Sequence, residues 1–339
     1  MNNETIMLAH GGGGELTRQL LAERILPKIA NPLLDPLGDA AVMPAPGDTL
    51  CMTTDSYVVQ PLEFPGGDIG RLAICGTVND LAVEGATPTA ISLAMVLEEG
   101  LPMATLDRVV DSIAAAGREA NVAIVTGDTK VIERQSTSTH PGMTVTTAGL
   151  GARRPDARLD ATRIAPGDVV ICSGRIAEHG LAIMSVREHL SFATELRSDA
   201  APLAELIAAM FDAGCDVKFL RDATRGGLAG VLADLAEDTG QSLDVREADV
   251  PLSAAARAAA DMLGLDPLSV ANEGKIAAVV PAEHAEQALA AMHAQEFGRH
   301  AAAIGTFTNA TPALVELVTR GGGRRMITRP YGEELPRIC

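Results

Sequence analysis

Short apolar runs alternate with helix-periodic stretches along this chain, break off at "RRPDARLDATRIAPGD" (residues 153–168), and then alternate a second time. In the first half "DTLCMTTDSYVV", "AISLAMVLEE", "NVAIVTGDTKV" and "GMTVTTAGLGA" read as strands, the third running into a polar turn. Around them "ELTRQLLAERILPKI", "MATLDRVVDSIAAAGREA" and "GGDIGRLAICGTVNDLAVEGA" read as helices, the last capped near Asp68. The second half repeats the pattern, with strands at "DVVICSG", "KFLRD", "GKIAAVVP", "HAAAIGTF" and "ALVELVT", and helices at "EHGLAIMSVREHL", "LAELIAAMFDAG", "GGLAGVLADLAED" and "AEHAEQALAAMHA". At 339 residues the chain exceeds a single hydrophobic core. Mixed strands and helices in each half therefore predict two α/β or α+β sandwiches. The final "RGGGRRMITRPYGEELPRIC", rich in Gly, Pro and Arg, reads as a tail.

Composition narrows the function classes. Aromatic residues make up 2% of the chain, with no Trp, so the cores are built from Ala, Val, Leu and Ile and no stacking platform for single-stranded nucleic acid is available. A formal charge of −17 repels nucleic acid and anionic membranes alike. No apolar run has the length of a membrane helix, and "MNNETIMLAHGGGG" lacks the pattern of a signal peptide, so a cytoplasmic protein is expected. Five widely spaced cysteines without a CxxC pair argue against a disulfide framework or a zinc site. Cys51 and Cys172 sit in apolar runs and read as buried small hydrophobes; Cys339, the last residue, does not.

Asp39 in "LGDAA", Asp55 in "TTDS", Asp80 in "VNDLA", Asp128 in "GDTK" and Asp222 in "RDATRGG" all stand in tight, small-residue settings. One such Asp is ordinarily a turn cap. Five of them ending apolar segments, with few Lys or Arg nearby, predict a divalent ion held by carboxylates and polyphosphate oxygens. Gly11, Gly12 and Gly13 of "HGGGG" present unobstructed N–H groups suited to phosphate, or form a flexible linker; no Walker lysine follows them. Lys130 either pairs with Asp128 or meets a phosphate. Glu273 of "ANEGK" is either a surface turn residue or a general base mounted at a strand mouth.

The segments "GGGG", "TTDSYVVQPLEFPGGDIGRLAICGTVNDLA", "VTGDTKV", "RDATRGGLAGVL", "ANEGK" and the terminal "PRIC" resemble, in order and from end to end, the HypE family of hydrogenase maturation proteins. That family belongs to the superfamily of aminoimidazole ribonucleotide synthetase, selenophosphate synthetase and thiamine-phosphate kinase. The resemblance implies an α+β fold of two α/β sandwich domains of the aminoimidazole ribonucleotide synthetase type: an ATP-binding and dimerisation domain over residues 1–153, a second domain over 154–318, and a mobile tail over 319–339. It also implies an ATP-dependent dehydratase acting on its own Cys339. The carbamoyltransferase HypF loads a carboxamide onto that thiol, the chain converts it to a thiocyanate, and the cyano group passes to iron on a HypC–HypD scaffold. By the same resemblance Mg²⁺ is held by Asp39, Asp55, Asp80 and Asp222. The nucleotide lies on Gly11–Gly13, Asp55, Asp80, Gly127, Asp128 and Thr129. Glu273 removes the amide proton once the amide oxygen is phosphorylated, and Lys130 orients the amide, through contact with Glu273.

A thiol at the chain end suits such a cycle, because one sulfur must visit a loading partner, an ATP site and an acceptor. The 19 residues from Gly321 to Cys339 reach up to about 60 Å when extended. Two other readings compete. A selenophosphate synthetase would carry Cys or selenocysteine in the N-terminal glycine-rich region, and no cysteine precedes Cys51. A non-catalytic carrier of a modified Cys339 would need no metal–nucleotide site, which the acidic pattern and "GDTK" supply.

Overall fold

The computed structural model describes residues 5–135, 141–188 and 196–329. The first sheet has four strands: β1 (Leu50–Tyr57), β2 (Ala86–Glu98), β3 (Ala123–Ile132) and β4 (Met143–Arg153), in the order β1-β4-β2-β3. β4 is antiparallel to both neighbours, and β2 and β3 run parallel. Two helices pack with this sheet, α1 (Ile69–Val83) and α2 (Met103–Glu119). Asp68 caps α1, accepting at Oδ1 from the N–H groups of Gly70 (2.8 Å) and Arg71 (2.9 Å). Leu106, Val109, Val110 and Ile113 give α2 one apolar face. α1 is apolar nearly all round and is buried nearly all round, since it touches the first sheet and α2 as well as the second domain.

The second domain holds a seven-stranded sheet. Its strands are β5 (Val169–Cys172), β6 (Phe219–Asp222), β7 (Ser242–Arg246), β8 (Ile276–Val280), β9 (Ala302–Thr308), β10 (Val315–Val318) and β11 (Arg324–Ile327), ordered β11-β10-β7-β9-β5-β8-β6. β8, "IAAVV", is buried at every position because helices cover both faces. Ile276, Ala278 and Val280 face α4 (Ala204–Asp212) and α7 (Ala285–His293); Val279 shares a core with α5 (Gly227–Thr239). Helices α3 (Glu178–Arg187) and α6 (Ala254–Leu263) pack together in a smaller cluster. Asn79, fully buried on α1, latches the domains: its side chain donates to Ala201 O (3.0 Å) and Glu273 O (3.2 Å) and accepts from Leu203 N (2.8 Å).

Three sequence expectations need correction. A tail beginning at 319 would cut through a hairpin, because residues 324–327 pair with β10 across a glycine turn closed by Thr319 N–Gly323 O at 2.8 Å. Arginines there find carboxylates, Arg325 on Asp266 and Arg329 on Asp234 and Glu237, while Ile327 enters the core. "GDTK" is no turn: β3 runs on through Lys130 to Ile132, paired with β2 on one side only. Cys51 is half-buried, because β1 is an edge strand; Cys172 is buried as expected. Cys339 lies outside the described residues.

Candidate functional site

Carboxylates gather where the two domains meet. Alternation along β1 turns Thr53, Asp55 and Tyr57 to the α1 side of the sheet. There Thr53 Oγ1 donates to Asp80 Oδ2 at 2.8 Å. Asp222 ends β6 opposite Ile276 of β8, and Glu273 stands three residues before Ile276. Asp55, Tyr57, Asp80, Asp222 and Glu273 line one small cavity of about 40 Å³, with Arg225 at its wall. A larger cleft of about 510 Å³, lined in part by Cys51, Glu84 and Arg221, shares Asp80 and Asp222 with it.

The electrostatics of this cluster are those of anions crowded away from water. Burial, and then the charges of Asp80 and Asp55, push the Asp222 carboxyl up to about 6. Burial first, then Asp222, Asp199, Asp55 and Asp80, hold Glu273 well above the usual carboxylate range. Asp80 is raised by burial, opposed by the Thr53 hydrogen bond. Glu273 is 3% exposed and Tyr57 2%, yet Glu273 Oε1 and the Tyr57 hydroxyl have no hydrogen-bond partner among the described residues. A side chain on residue 76 would strike that hydroxyl, its Cβ falling 2.2 Å away, so glycine there keeps the phenol in place. Two orphaned polar atoms facing one cavity are the signature of a site built for something else to bind.

A second cavity, of about 450 Å³, lies at the opposite edge of the first sheet. Its body is apolar, lined by residues such as Leu21, Ile25, Leu93, Met95 and Ile124, and Gly11, Gly13, Gly127, Asp128, Thr129 and Lys130 also line it. Gly11 is a close-approach glycine as well as a bare N–H: a Cβ there would lie 2.6 Å from the backbone nitrogen of Val131. Lys130 Nζ pairs with Asp128 Oδ1 at 2.9 Å, and that contact holds the Asp128 carboxyl below its usual range.

The residues singled out in the sequence thus fall into two groups. Asp55, Asp80, Asp222 and Glu273 meet in the carboxylate cleft. Gly11, Gly13 and Gly127 to Lys130 meet in the glycine-lined cavity, with Gly12 outside its wall. Asp39 is exposed on the loop whose neighbours Gly38 and Ala40 line the second cavity; it does not join the other three aspartates. Lys130 does not contact Glu273 within one chain. Asp55, Thr147, Leu93 and Gly127 occupy one rung across the sheet, so the two edges stand three strand spacings apart, about 14 Å. Tyr57, Thr53, Asn79 and Arg225 were not singled out. Tyr57 was legible, since it stands two residues beyond Asp55 in a strand and must share its face.

The carboxylate cluster fits a hard cation. Its donors are all oxygen, and burial together with neighbouring carboxylates raises the proton affinities of Asp222 and Glu273, a field that favours a bound cation. Among the described residues no three His, Cys, Asp or Glu side chains stand ready to hold a metal by themselves.

Residues 37–152 match the family model of the AIR synthase related protein, N-terminal domain, and residues 165–315 that of its C-terminal domain. The fold is therefore that of an AIR synthase related protein. Over 339 residues the chain is 44% identical to the carbamoyl dehydratase HypE of Azotobacter vinelandii, covering 100% of this chain and 98% of that one. A crystal structure of hydrogenase maturation protein HypE in complex with ATP matches with a TM-score of 0.93 at 42% identity, covering 99% of this chain and 100% of that one. HypE in a HypE–HypF complex matches with a TM-score of 0.79 at 39% identity, covering 94% of this chain and 100% of that one. The chain belongs to the HypE family. Among the described residues no helix is long and apolar enough to cross a membrane.

Proposed function

We propose that the chain is an ATP-dependent carbamoyl dehydratase that converts an S-carboxamide on its own Cys339 to a thiocyanate, the cyanide source for hydrogenase iron. The observation that carries this reading is Glu273: a buried carboxyl with one unpartnered oxygen, aimed into a carboxylate-lined cleft. ATP supplies the phosphoryl group that makes the amide oxygen a leaving group. Asp55, Asp80 and Asp222 would hold Mg²⁺, which would neutralise charge on the phosphates. Glu273, as the carboxylate, takes the N–H proton, and its raised affinity for protons strengthens it as a base. The Tyr57 hydroxyl donates to the reacting amide or its phosphorylated oxygen. Wall residues of the cleft exclude water, which would otherwise hydrolyse the intermediate.

A homodimer completes the site. The α1-distal face of the first sheet carries exposed Met52, Thr54 and Ser56 and half-buried Thr144, Thr146, Ala148 and Leu150, a surface suited to a second copy. Packing there brings Lys130 and the glycine-lined cavity of one copy to the carboxylates of the other, which accounts for their separation within one chain. HypF loads Cys339, a HypC–HypD complex receives the cyano group, and the reaction runs in the cytoplasm, where ATP is supplied.

Intact-mass spectrometry of HypF-loaded protein before and after Mg-ATP tests the reading. Loss of one water in the wild type but not in Glu273→Gln is the expected result. A carboxamide that survives ATP in the wild type leaves only the carrier role.

A further inference from the structure

A third cavity, of about 470 Å³, lies behind the turn that carries Glu273. Its floor is the ion pair of Lys275 Nζ and Asp199 Oδ2 at 3.1 Å, with side chains 9% and 2% exposed. Asp199 Oδ1 also accepts from the backbone N–H of Glu273 at 3.0 Å, so this floor is the outer side of the catalytic turn. Around it stand Arg71, Arg175, Arg197, Arg299 and His300, against the carboxylates Glu178, Asp199 and Glu296. None of these residues lines the carboxylate cleft or the glycine-lined cavity.

That concentration of cations is unexpected in a chain with 44 acidic and 27 basic residues. Most of its arginines are tied to carboxylates; Arg71 itself donates to Glu119 from Nη1 (2.6 Å) and Nη2 (3.0 Å). Arg175 and Arg299 make no hydrogen bond or close ion pair among the described residues, although Arg175 is near enough to Glu178 of the same cavity for its charge to lower that carboxyl's proton affinity. Partial burial first, and then the charges of Arg175, Lys275 and Arg299, oppose protonation of His300. Unpaired guanidinium groups repel one another, and an anion with several oxygens would relieve that repulsion. Their planar forks match the edges of a phosphoryl group, and a buried ammonium at the floor supplies a further donor.

We propose that this cavity binds a phosphate-type oxyanion, either inorganic phosphate or the phosphoryl group of a small metabolite. The site is separate from the nucleotide site of the dehydratase reading and does not depend on it.

Calorimetric titration of inorganic phosphate, and separately of glycerol 3-phosphate, into the full-length protein at constant ionic strength tests this, with and without a non-hydrolysable ATP analogue and Mg²⁺. One-site saturable binding of at least one probe is expected, retained with the analogue present. It should weaken about tenfold or more in Arg175→Ala/Arg299→Ala and stay unchanged in Arg18→Ala. Equal binding of both probes identifies free phosphate as a sufficient ligand; binding of the ester alone identifies a phosphorylated metabolite. Both arginines are exposed and unpaired, so the double variant should melt within a degree or two of the wild type. No saturable binding, displacement of phosphate by the analogue, or full affinity in the folded double variant would overturn the proposal.

Discussion

The two edge strands of the first sheet place carboxylates in opposite conditions. At the β3 edge, Asp128 is exposed and paired with Lys130, and its proton affinity falls. At the β1 edge, half-buried Asp80 and, across the domain junction, half-buried Asp222 and buried Glu273 stand beside like charges, and their proton affinities rise. An exposed pair of this kind contributes about 0–1 kcal/mol, so Lys130 can leave Asp128 for a substrate at little cost. The carboxylates of the cleft crowd one another, and a bound cation would relieve that repulsion. One edge is at rest and the other is incomplete, as expected if each is half of a site.

The largest effect should come from the incomplete edge. Glu273→Gln should slow dehydration of loaded Cys339 at least about 100-fold while an ATP analogue still binds. Retention of more than a tenth of the rate would remove Glu273 from the role of base.

Asp222 tests the electrostatic half of the comparison. A carboxyl raised from 3.8 to about 6 on folding contributes stability below its unfolded value and loses it as pH rises through about 6. At pH 7.5 the charged form therefore costs up to about 3 kcal/mol without metal or nucleotide. Asp222→Asn should raise Tm of the nucleotide-free protein at pH 7.5, and the gain should shrink as the pH falls below about 6 and vanish below about 3.8. A gain independent of pH would mean that packing, not charge, sets it.

Tyr57→Phe separates function from stability. Removing a buried hydroxyl that lacks a partner should leave stability unchanged or raise it by about 1 kcal/mol, while turnover falls about tenfold. Unchanged turnover would show that the phenol does not meet the substrate.

Lys130→Ala should have the smallest structural effect, a stability change under about 0.5 kcal/mol in chemical denaturation, because the pair it breaks is exposed. A loss of several kcal/mol would mean that Lys130 is fixed in the fold and not held in reserve.

Much of this was legible in the sequence, for local reasons. The cap at Asp68, the period of α2 and the continuous apolar run of β8 each follow from side-chain spacing. The residues of both cavities also stood out, through "HGGGG", "GDTK" and the recurring aspartates. Their division did not, because strand order decides which motifs become neighbours, and β3 pairs with β2 at the edge far from β1. The strand at 324–327 was hidden by its arginines, which read as a solvated tail until Asp244, Asp266 and Glu316 are seen beside them. The Arg175–Arg299 cavity draws on five separate segments of the chain and left no linear pattern at all.

The division of the site between two copies is tested most directly by mixing Glu273→Gln with Lys130→Ala subunits and following thiocyanate formation on loaded Cys339. If each site takes Glu273 from one copy and Lys130 from the other, half the sites in a mixed dimer are intact. Activity should then return to about a quarter of the wild-type rate after random exchange. A mixture no more active than the average of the two variants alone would contradict a shared site and place both residues' work within one chain.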